Sequence, residues 1–400
     1  MQKFINMSEL AYPDKERFLV ITNAYPHQDQ LYRNGFIHRR VLSYMEEGRN
    51  IEVFVLHPSF SKAEIYMYQG VTVYRGTEAD LRILLSYKAH MKCLIHFVNP
   101  SMIQAIKEVN QGLPIVVWIH GFEAEAWHRR WFNFLESPGS LRKILEMSDT
   151  YYHEQLSFMN WLYQTNELDI TFVHVSRWFK EHIAECDARA ISKNAVIIPN
   201  VIDDHLFEYE EKPVEIRKKI LSIRPYVSRK YANDLAVRAI LALSKKPYFT
   251  QLEFSFYGDG KWFDETVAPL RSFENVTIHR GFLPQDQIAQ LHKEHGVFLC
   301  PTRLDSQGVS MCEAMSSGLV PVSTNISAIP EFVEHDVSGL LTHPEDFEDL
   351  ADALERLYFN PELFARLSKK TAHSIRLKCS KETVIKKELE ILTTGKLVTA

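Results

Sequence analysis

The chain has 400 residues, roughly two to three times the usual length of one domain, so it can bury two separate cores. Its 46 Lys and Arg residues against 51 Asp and Glu give a net charge of -5, which argues against a nucleic-acid-binding protein. The hydrophobic fraction of 46% and the charged fraction of 24% are those of a globular protein, and they exclude a largely disordered chain.

Five cysteines lie far apart in the sequence, and no two of them form a C-x-x-C pair. This pattern predicts free thiols in a reducing cytoplasm instead of a disulfide framework or a zinc knuckle. Residues 1–14 lack the pattern of a signal peptide, and no apolar run approaches the about 18 residues that span a bilayer. We therefore expect a cytoplasmic protein, with peripheral contact at the inner face of the membrane left open.

Short runs rich in β-branched and aromatic residues recur along the chain and predict buried parallel strands. They lie at residues 18–22, 51–56, 93–98, 115–119, 170–175, 195–198, 220–223, 252–257, 297–300 and 319–322. Segments with helical spacing of apolar residues lie between them, such as Ile37, Val41 and Met45. Strands that alternate with helices predict an α/β protein built from doubly wound parallel sheets.

A polar stretch at residues 208–213 separates two such series of strands and helices. We predict an N-terminal Rossmann-like domain at residues 1–207 and a C-terminal one at residues 213–378. The segment 141–169 has many aromatic residues and no strand pattern, which predicts a helical insertion. The last helix, within residues 379–400, is expected to pack back on the N-terminal domain.

The most informative stretch of the second domain follows the predicted strand at 297–300. Gly308 at the entrance of the following helix allows a ligand to approach the backbone closely, and the free amides that come after it predict an anion site. Glu313 lies about one turn inside the helix, eight positions after Asp305, so the two carboxylates could face one cavity. A carboxylate beside a phosphate site accepts hydrogen bonds from sugar hydroxyls, although Asp305 could equally be an acid favoured by the helix dipole.

Three cations, Arg224, Arg229 and Lys230, follow the first strand of the second domain, at the edge of the sheet where ligands bind. They could neutralise a diphosphate leaving group as a metal ion does elsewhere, or they could be solvated surface. Because no Asp-x-Asp sequence follows a strand, no metal site is predicted.

Two glycine and histidine patterns of the second domain are less specific. Gly258 and Gly260 follow a strand, but Phe263 stands where a dinucleotide-binding motif has its third glycine, so a tight turn is the alternative. His292 and His295 lack cysteine or acidic partners for zinc, and we expect them at the surface.

The first domain offers two candidates at the carboxyl edge of its sheet. Gly35 opens the first helix, and His120 ends the strand 115–119, where it is either structural or in reach of a ligand. Basic and aromatic residues at 38–40 and 127–131 could contact an anionic glycan or a lipid surface, or they could face solvent.

The order of these motifs resembles family 4 of the retaining glycosyltransferases. These are nucleotide-sugar-dependent enzymes of the GT-B fold, in which two Rossmann-like domains face a cleft. The resemblance covers most of the chain and runs through the Gly35 loop, His120–Gly121, Ile198–Asp203, Arg224 with Arg229–Lys230, Gly258–Gly260, Glu313–Met315 and Ser338–Leu341.

The resemblance implies that Glu313 holds the ribose of the nucleotide and that Arg224 and Lys230 bind the diphosphate. The backbone from Gly308 to Met311 would support the phosphates and the donor sugar, and Gly258 would be a further contact. His120 and the Gly35 loop would line the reaction centre from the other domain. The implied activity is a metal-independent, retaining transfer to a cell-surface glycan or a lipid-linked precursor, with a UDP-sugar as the expected donor and no resident cofactor.

This sequence departs from the family pattern at three places. Asp305 stands where the family has the first of two glutamates, and Ser327 and Ala328 replace paired glycines. The loop after Lys230 is one residue longer, so Arg229 could be the phosphate ligand in its place. Two other functions stay open: a GT-B epimerase or phosphorylase, and a non-catalytic protein that binds glycan or scaffolds a complex.

Overall fold

The structure is a computed structural model that describes residues 17–27, 34–134 and 137–394. Its strands are β1 Arg17–Thr22, β2 Asn50–Leu56, β3 Glu64–Tyr68, β4 Val71–Gly76, β5 Lys92–His96, β6 Ile115–Ile119, β7 Ile170–His174, β8 Ala195–Ile197, β9 Lys219–Ile223, β10 Glu253–Gly258, β11 Val276–Arg280, β12 Val297–Leu299, β13 Val320–Thr324 and β14 Leu340–Thr342.

Its α-helices are α1 Gly35–Glu46, α2 Glu78–Tyr87, α3 Pro100–Val109, α4 Pro138–Met147, α5 His153–Gln164, α6 Arg177–Phe179, α7 Glu185–Ala188, α8 Asn233–Leu243, α9 Phe263–Val267, α10 Gln285–Glu294, α11 Val309–Ser316, α12 Ile329–Phe332, α13 Phe347–Phe359, α14 Pro361–Cys379 and α15 Lys381–Thr394. Within the described ranges, no helix combines the length and the apolar character that crossing a membrane requires.

The chain forms two compact units. Unit 1 contains the chain up to Ala126, Ser148–Val201 and the chain from Val384 onward, and unit 2 contains Trp127–Met147 and Ile202–Thr383. The chain passes into unit 2 at Ile202, before the polar stretch at 208–213, because residues 202–207 already pack there. The Ile202 N–H donates to the Cys379 carbonyl, and the buried Phe207 accepts a hydrogen bond from Ser316 through its carbonyl.

Unit 1 is built on an eight-stranded sheet in the order β3-β4-β2-β1-β5-β6-β7-β8. All neighbouring strands are parallel except β3, which runs antiparallel to β4 at the edge. The sequence pattern predicted neither β3 nor β4. β3 is half exposed and lacks a continuous apolar run, and in the mostly buried β4 the apolar residues are interrupted by Thr72 and Arg75. The predicted insertion at 141–169 corresponds to α4, a π-helical turn at Ser148–Tyr152 and α5, and α4 is part of unit 2.

Helix α15 packs into the core of unit 1 through Val384, Ile385, Ile391 and Leu392. A buried polar cluster fixes its register there. Glu388 is fully buried and accepts hydrogen bonds from Arg40 Nε at 3.0 Å, Tyr44 Oη at 2.7 Å and Trp118 Nε1 at 3.2 Å.

Unit 2 is built on a six-stranded, all-parallel sheet in the order β11-β10-β9-β12-β13-β14. This is the classic order of a dinucleotide-binding fold, read as 3-2-1-4-5-6. Helices α8, α13 and α14 cover one face and supply much of its apolar core. The order reverses between β9 and β12, and in such sheets ligands bind beyond the carboxyl ends of the strands at that reversal.

Candidate functional site

Two segments of unit 2 leave the sheet at the point where the strand order reverses. Arg224 follows β9 directly, and residues 300–308 connect β12 to α11. Parallel strands place their carboxyl ends at one edge, so these segments meet there. The fold thus brings together the cations and the helix N-terminus that the sequence predicts as a phosphate site.

Arg224 is the buried cation of this group, with only 4% of its surface exposed. Its Nη1 donates to Ser310 Oγ at 3.1 Å, in the first turn of α11, and its guanidinium lies 4.8 Å from the Tyr231 ring centroid. Its Nε is also buried and makes no hydrogen bond with the described residues. A buried guanidinium with unused donors suits an anionic ligand at the start of α11.

The two remaining cations of the loop point to different neighbours. The Lys230 ammonium lies 4.8 Å from the centroid of Tyr231, the same ring that Arg224 contacts. The guanidinium of Arg229 lies 4.4 Å from the ring of Trp262. Lys230 thus shares a ring contact with Arg224 and Arg229 does not, while the choice between them as phosphate ligand stays a prediction.

The loop before α11 uses part of the predicted anion site for its own structure. Gly308 has φ 80° and ψ 57°, a left-handed conformation that favours glycine. Its N–H donates to Asp305 Oδ1 at 2.8 Å, and the Gln307 N–H donates to the same oxygen at 3.2 Å. The Gly308 N–H is thus used within the loop, and the anion donors expected at this helix are the amides that follow it. The first-turn amides of Val309, Ser310 and Met311 have no acceptor one turn earlier within the helix.

Glu313 lies on the same helix and is 93% buried. Gln285 Nε2, at the first position of α10, lies 3.4 Å from Glu313 Oε1. Nothing in the local sequence of Gln285 indicates this contact, because it joins residues 28 positions apart.

Gly258 is required by packing. A Cβ at this position would lie 1.9 Å from the Arg224 carbonyl oxygen. The Arg224 N–H donates to the Tyr257 carbonyl at 3.0 Å, so the turn after β10 supports the chain that carries Arg224. Phe263, in place of a third glycine, packs edge-on against Tyr226 with ring centroids 4.7 Å apart. The turn interpretation explains these residues, and a contact of Gly258 with nucleotide stays a prediction.

In unit 1, His120 lies at the end of β6 beside another histidine. Its Nε2 is 2.9 Å from His96 Nδ1, and its ring lies against those of Phe36 and Phe97. Burial, assisted by the charge of Arg40, holds the pKa of His120 well below its usual value, so the ring is neutral near pH 7. A neutral imidazole can exchange hydrogen bonds with a hydroxyl but carries no charge.

The backbone around His120 is held by Glu123, which sequence reasoning missed. Glu123 Oε1 accepts the His120 N–H at 2.5 Å, and Oε2 accepts the Gly121 N–H at 3.0 Å. Burial raises the pKa of Glu123 to about 7, against the opposing effect of these two hydrogen bonds. Its spacing three residues after a strand-end histidine is the only signal that the sequence offers.

Gly35 is the first residue of α1, and Asn34 before it adopts the left-handed conformation. Among the described residues, Arg39 Nη1 at 3.8 Å is the atom that a Cβ at Gly35 would meet within 4 Å, chain neighbours and the helix backbone aside. Packing against those residues does not require a glycine here, and a ligand contact of Gly35 stays a prediction.

Several basic residues predicted at the surface are buried. His38 and Arg40 are 5% and 1% exposed, because His38 bonds to Tyr25 and Gln69 and Arg40 pairs with Glu388. Of this group only Arg39 is partly exposed.

The expectation of surface histidines at 292 and 295 was also wrong. His292 bonds to Ser317 Oγ at 3.1 Å, and His295 bonds to the Leu291 carbonyl and to Ser255 Oγ. Both rings are buried and serve the packing of α10.

Among the described residues, one side-chain group has the spacing of a metal site. His343, Asp346 and Asp349 place their ligand atoms within 4.8 Å of one another. Asp346 caps α13 by accepting the Glu348 and Asp349 N–H groups, and Asp349 bonds to His343. Helix capping accounts for this arrangement.

Comparison with known proteins finds a family match in the C-terminal half of the chain. Residues 217–360 match the glycosyl transferases group 1 family. The amylovoran biosynthesis glycosyltransferase AmsK of Erwinia amylovora is 32% identical over 145 residues, which is 35% of either chain. The D-inositol 3-phosphate glycosyltransferase of Saccharomonospora viridis is 34% identical over 147 residues, 34% of either chain. The match thus spans about a third of the length of these relatives.

Solved structures are similar over nearly the whole chain. Sucrose-phosphate synthase from Thermosynechococcus elongatus superposes with a TM-score of 0.71 at 13% identity, covering 94% of this chain and 98% of that one. HepE from Anabaena, in complex with UDP, gives a TM-score of 0.67 at 14% identity, covering 95% and 100%. These likenesses confirm the predicted GT-B fold. The chain thus has a GT-B fold with two parallel-sheet α/β units, and its residues 217–360 are similar to the glycosyl transferases group 1 family.

Proposed function

We propose that this protein is a retaining, metal-independent glycosyltransferase that moves a sugar from a nucleotide-sugar donor to a glycan or a lipid-linked glycan precursor. The observation that carries the proposal is the contact of buried Arg224 with Ser310 on the first turn of α11. Arg224 and Lys230 each lie 4.8 Å from the centroid of the Tyr231 ring, and Arg224 also contacts the first turn of α11. That combination suits the diphosphate of a nucleotide sugar.

The proposed chemistry needs negative charge to be stabilised on the leaving group. Breaking the bond between the sugar and the phosphate leaves positive charge on the sugar ring and negative charge on the departing diphosphate. Arg224, Lys230 and the first-turn amides of α11 stabilise that negative charge. The acceptor hydroxyl forms its bond on the face that the phosphate leaves, and its proton passes to the departing phosphate oxygen. No protein nucleophile takes part.

The donor is proposed to be a UDP-sugar, with Glu313 accepting hydrogen bonds from the ribose hydroxyls. The buried position of Glu313 next to the same helix turn supports this assignment. HepE, whose fold is similar, is known in complexes with UDP and with UDP-glucose. His120, as a neutral imidazole, and Gly35 are proposed to contact the sugars.

The acceptor is proposed to lie at a lipid surface or on a polysaccharide. Helix α4 exposes Leu141 and Leu145, one turn apart, beside the exposed basic residues Arg142 and Lys143. Trp131, in the preceding 3₁₀ turn, is 54% exposed. Apolar side chains next to cations suit the boundary of an anionic membrane. We place the reaction in the cytoplasm, since all five cysteines are free thiols.

The test is release of nucleoside diphosphate from a panel of nucleotide sugars, with and without lipid or glycan acceptors, in excess chelator. Acceptor-dependent release that Arg224→Ala abolishes supports the proposal. Strict dependence on manganese or magnesium would contradict the metal-independent mechanism. Conversion of the sugar without an acceptor would favour an epimerase, phosphate-dependent cleavage of a glycan would favour a phosphorylase, and nucleotide binding without turnover would favour a non-catalytic protein.

A further inference from the structure

Arg303, in the loop after β12, makes an unusually complete set of hydrogen bonds. It donates to both carboxylate oxygens of Asp234 at 2.8 Å and to those of Glu345 at 2.6 and 2.8 Å. Its Nη1 also donates to the Arg229 carbonyl at 2.8 Å. The Arg303 side chain is 12% exposed, whereas the side chains of Asp234 and Glu345 are 41% and 58% exposed, so the arginine is held between two carboxylates at the surface.

Residues 302 and 303 also hold Lys230, the residue after Arg229 in the 229–231 loop. The Arg303 N–H donates to the Lys230 carbonyl at 2.7 Å, and Thr302 Oγ1 donates to that oxygen at 2.9 Å. The carbonyls of Arg229 and Lys230 are therefore both fixed by residues 302 and 303. The loop is thus attached to the strand-end segment at two successive peptides.

The Asp234 contact ties the same loop to the helix that follows. Asp234 lies in the first turn of α8, immediately after Ala232 and Asn233. Ala232 has φ 46°, a left-handed conformation that a residue with a Cβ adopts only when its surroundings enforce it. By holding both the Arg229 carbonyl and Asp234, Arg303 spans this turn and maintains it.

The orientation of Lys230 depends on this attachment. The ammonium of a lysine is a point charge on a flexible four-carbon stem, so its own contacts fix its orientation only weakly. Here the ammonium stands over the Tyr231 ring, which also contacts Arg224. The position of the backbone at residue 230 decides whether the two cations face the same ligand.

We propose that Arg303 is a positioning residue for the donor diphosphate: it holds the 229–231 loop so that Lys230 stands over the Tyr231 ring, which Arg224 also contacts. This inference rests on the proposed function, in which Lys230 binds the diphosphate. Arg303 acts through Lys230 and does not itself touch the donor. A purely structural arginine would change stability without this link to Lys230.

A double-mutant cycle distinguishes a positioning role of Arg303 that acts through Lys230 from a purely structural role. UDP affinity is measured by calorimetry for wild type, Arg303→Gln, Lys230→Ala and the double variant. If Arg303→Gln displaces Lys230, one charge-assisted contact to the diphosphate is lost, and we expect UDP binding to weaken by about tenfold. In the Lys230→Ala background the same change should add less than about twofold, since coupled residues do not add. Arg303→Lys, which keeps the charge but loses the planar fork, should fold and show a similar loss.

The matched control is Arg217→Gln. The Arg217 side chain is 11% exposed and donates to the carbonyls of Tyr358 and Val214, and it lies before β9, at the opposite end of that strand. It should lower the melting temperature without changing UDP affinity. Equal loss from Arg303→Gln with and without Lys230, or no loss at all, would overturn this inference alone. A wild type that binds no nucleoside diphosphate would overturn the proposed function and this inference together.

Discussion

Asp305 is expected to have two roles, one in the structure of the loop before α11 and one in contact with the donor sugar, and substitutions can separate them. One carboxylate oxygen, Oδ1, accepts the backbone N–H groups of Gln307 and Gly308. The other oxygen accepts no hydrogen bond from the described residues. We predict that Oδ1 maintains the start of α11 and that Oδ2 faces the donor sugar.

The stability that Asp305 contributes can be estimated from the known effect of helix-capping residues. Asp305→Ala removes the acceptor of two backbone amides, a loss of about 1 to 2 kcal/mol by comparison with helix caps. For a unit of this size that lowers the melting temperature by roughly 2 to 8 °C. Asp305→Asn keeps an oxygen that can accept both amides, and its stability should stay within about 0.5 kcal/mol of wild type.

The catalytic part is measured with the same two variants. Both should lower turnover by about tenfold or more, the effect of losing ~1.4 kcal/mol of transition-state stabilisation. UDP affinity should stay within about threefold, because the ribose and the diphosphate are assigned to other residues. Steady-state release of UDP in the presence of acceptor gives turnover, and calorimetry gives affinity.

Asp346 offers a matched control, because its Oδ1 caps α13 through two backbone amides at 3.0 Å in the same way. Asp346→Ala should cost similar stability and leave turnover unchanged. Full turnover in Asp305→Asn would refute the reasoning, since the carboxylate would then only stabilise the start of the helix.

Three further predictions test the remaining parts. Arg224→Ala and Glu313→Ala should each weaken UDP binding by tenfold or more, since charge-assisted hydrogen bonds contribute about 1.5 to 3 kcal/mol, and unchanged calorimetric affinity in both would remove the site assignment. Glu388→Ala should destabilise unit 1 by about 3 to 5 kcal/mol in urea titrations, because Arg40 is left buried without its partner, and a loss below about 1 kcal/mol would contradict this. The pKa of Glu123 is raised from 4.5 to about 7, so its contribution to stability is complete below pH 4.5 and is lost as the pH rises through 7. The stability of wild type relative to Glu123→Gln should therefore fall by roughly 3 kcal/mol between pH 4.5 and 8, and a constant difference would count against the raised pKa.

The sequence predicted most of the buried strands because their signal is local, although it missed β4 and β14. Ile115–Ile119 and Val297–Leu299 are buried on both faces of a parallel sheet and read as continuous apolar runs. Strands β3 and β11 escaped prediction because they lie at sheet edges and half of their side chains face solvent. An edge strand forms because a neighbouring strand offers it hydrogen bonds, and the local sequence of the edge strand does not indicate which strand that is.

The part of the candidate site that lies at the carboxyl ends of the strands could be predicted from sheet topology alone. Arg224 follows β9 and Gly308 precedes α11, and parallel strands bring such positions to one edge of the sheet. The contacts of Glu123, Gln285 and Arg303 were not predicted, because each depends on the exact approach of separate segments.

The amino-acid sequence by itself determined the alternation of strands and helices, the glycine turns and the positions of the candidate residues along the chain. Only the tertiary structure decided which rings the adjacent cations Arg229 and Lys230 contact, Trp262 for Arg229 and Tyr231 for Lys230. It also decided that Arg40 is buried, because its partner Glu388 lies 348 residues away. The physical reason is the same in both cases: a charge is placed by the groups that compensate it, and those groups come from distant parts of the chain.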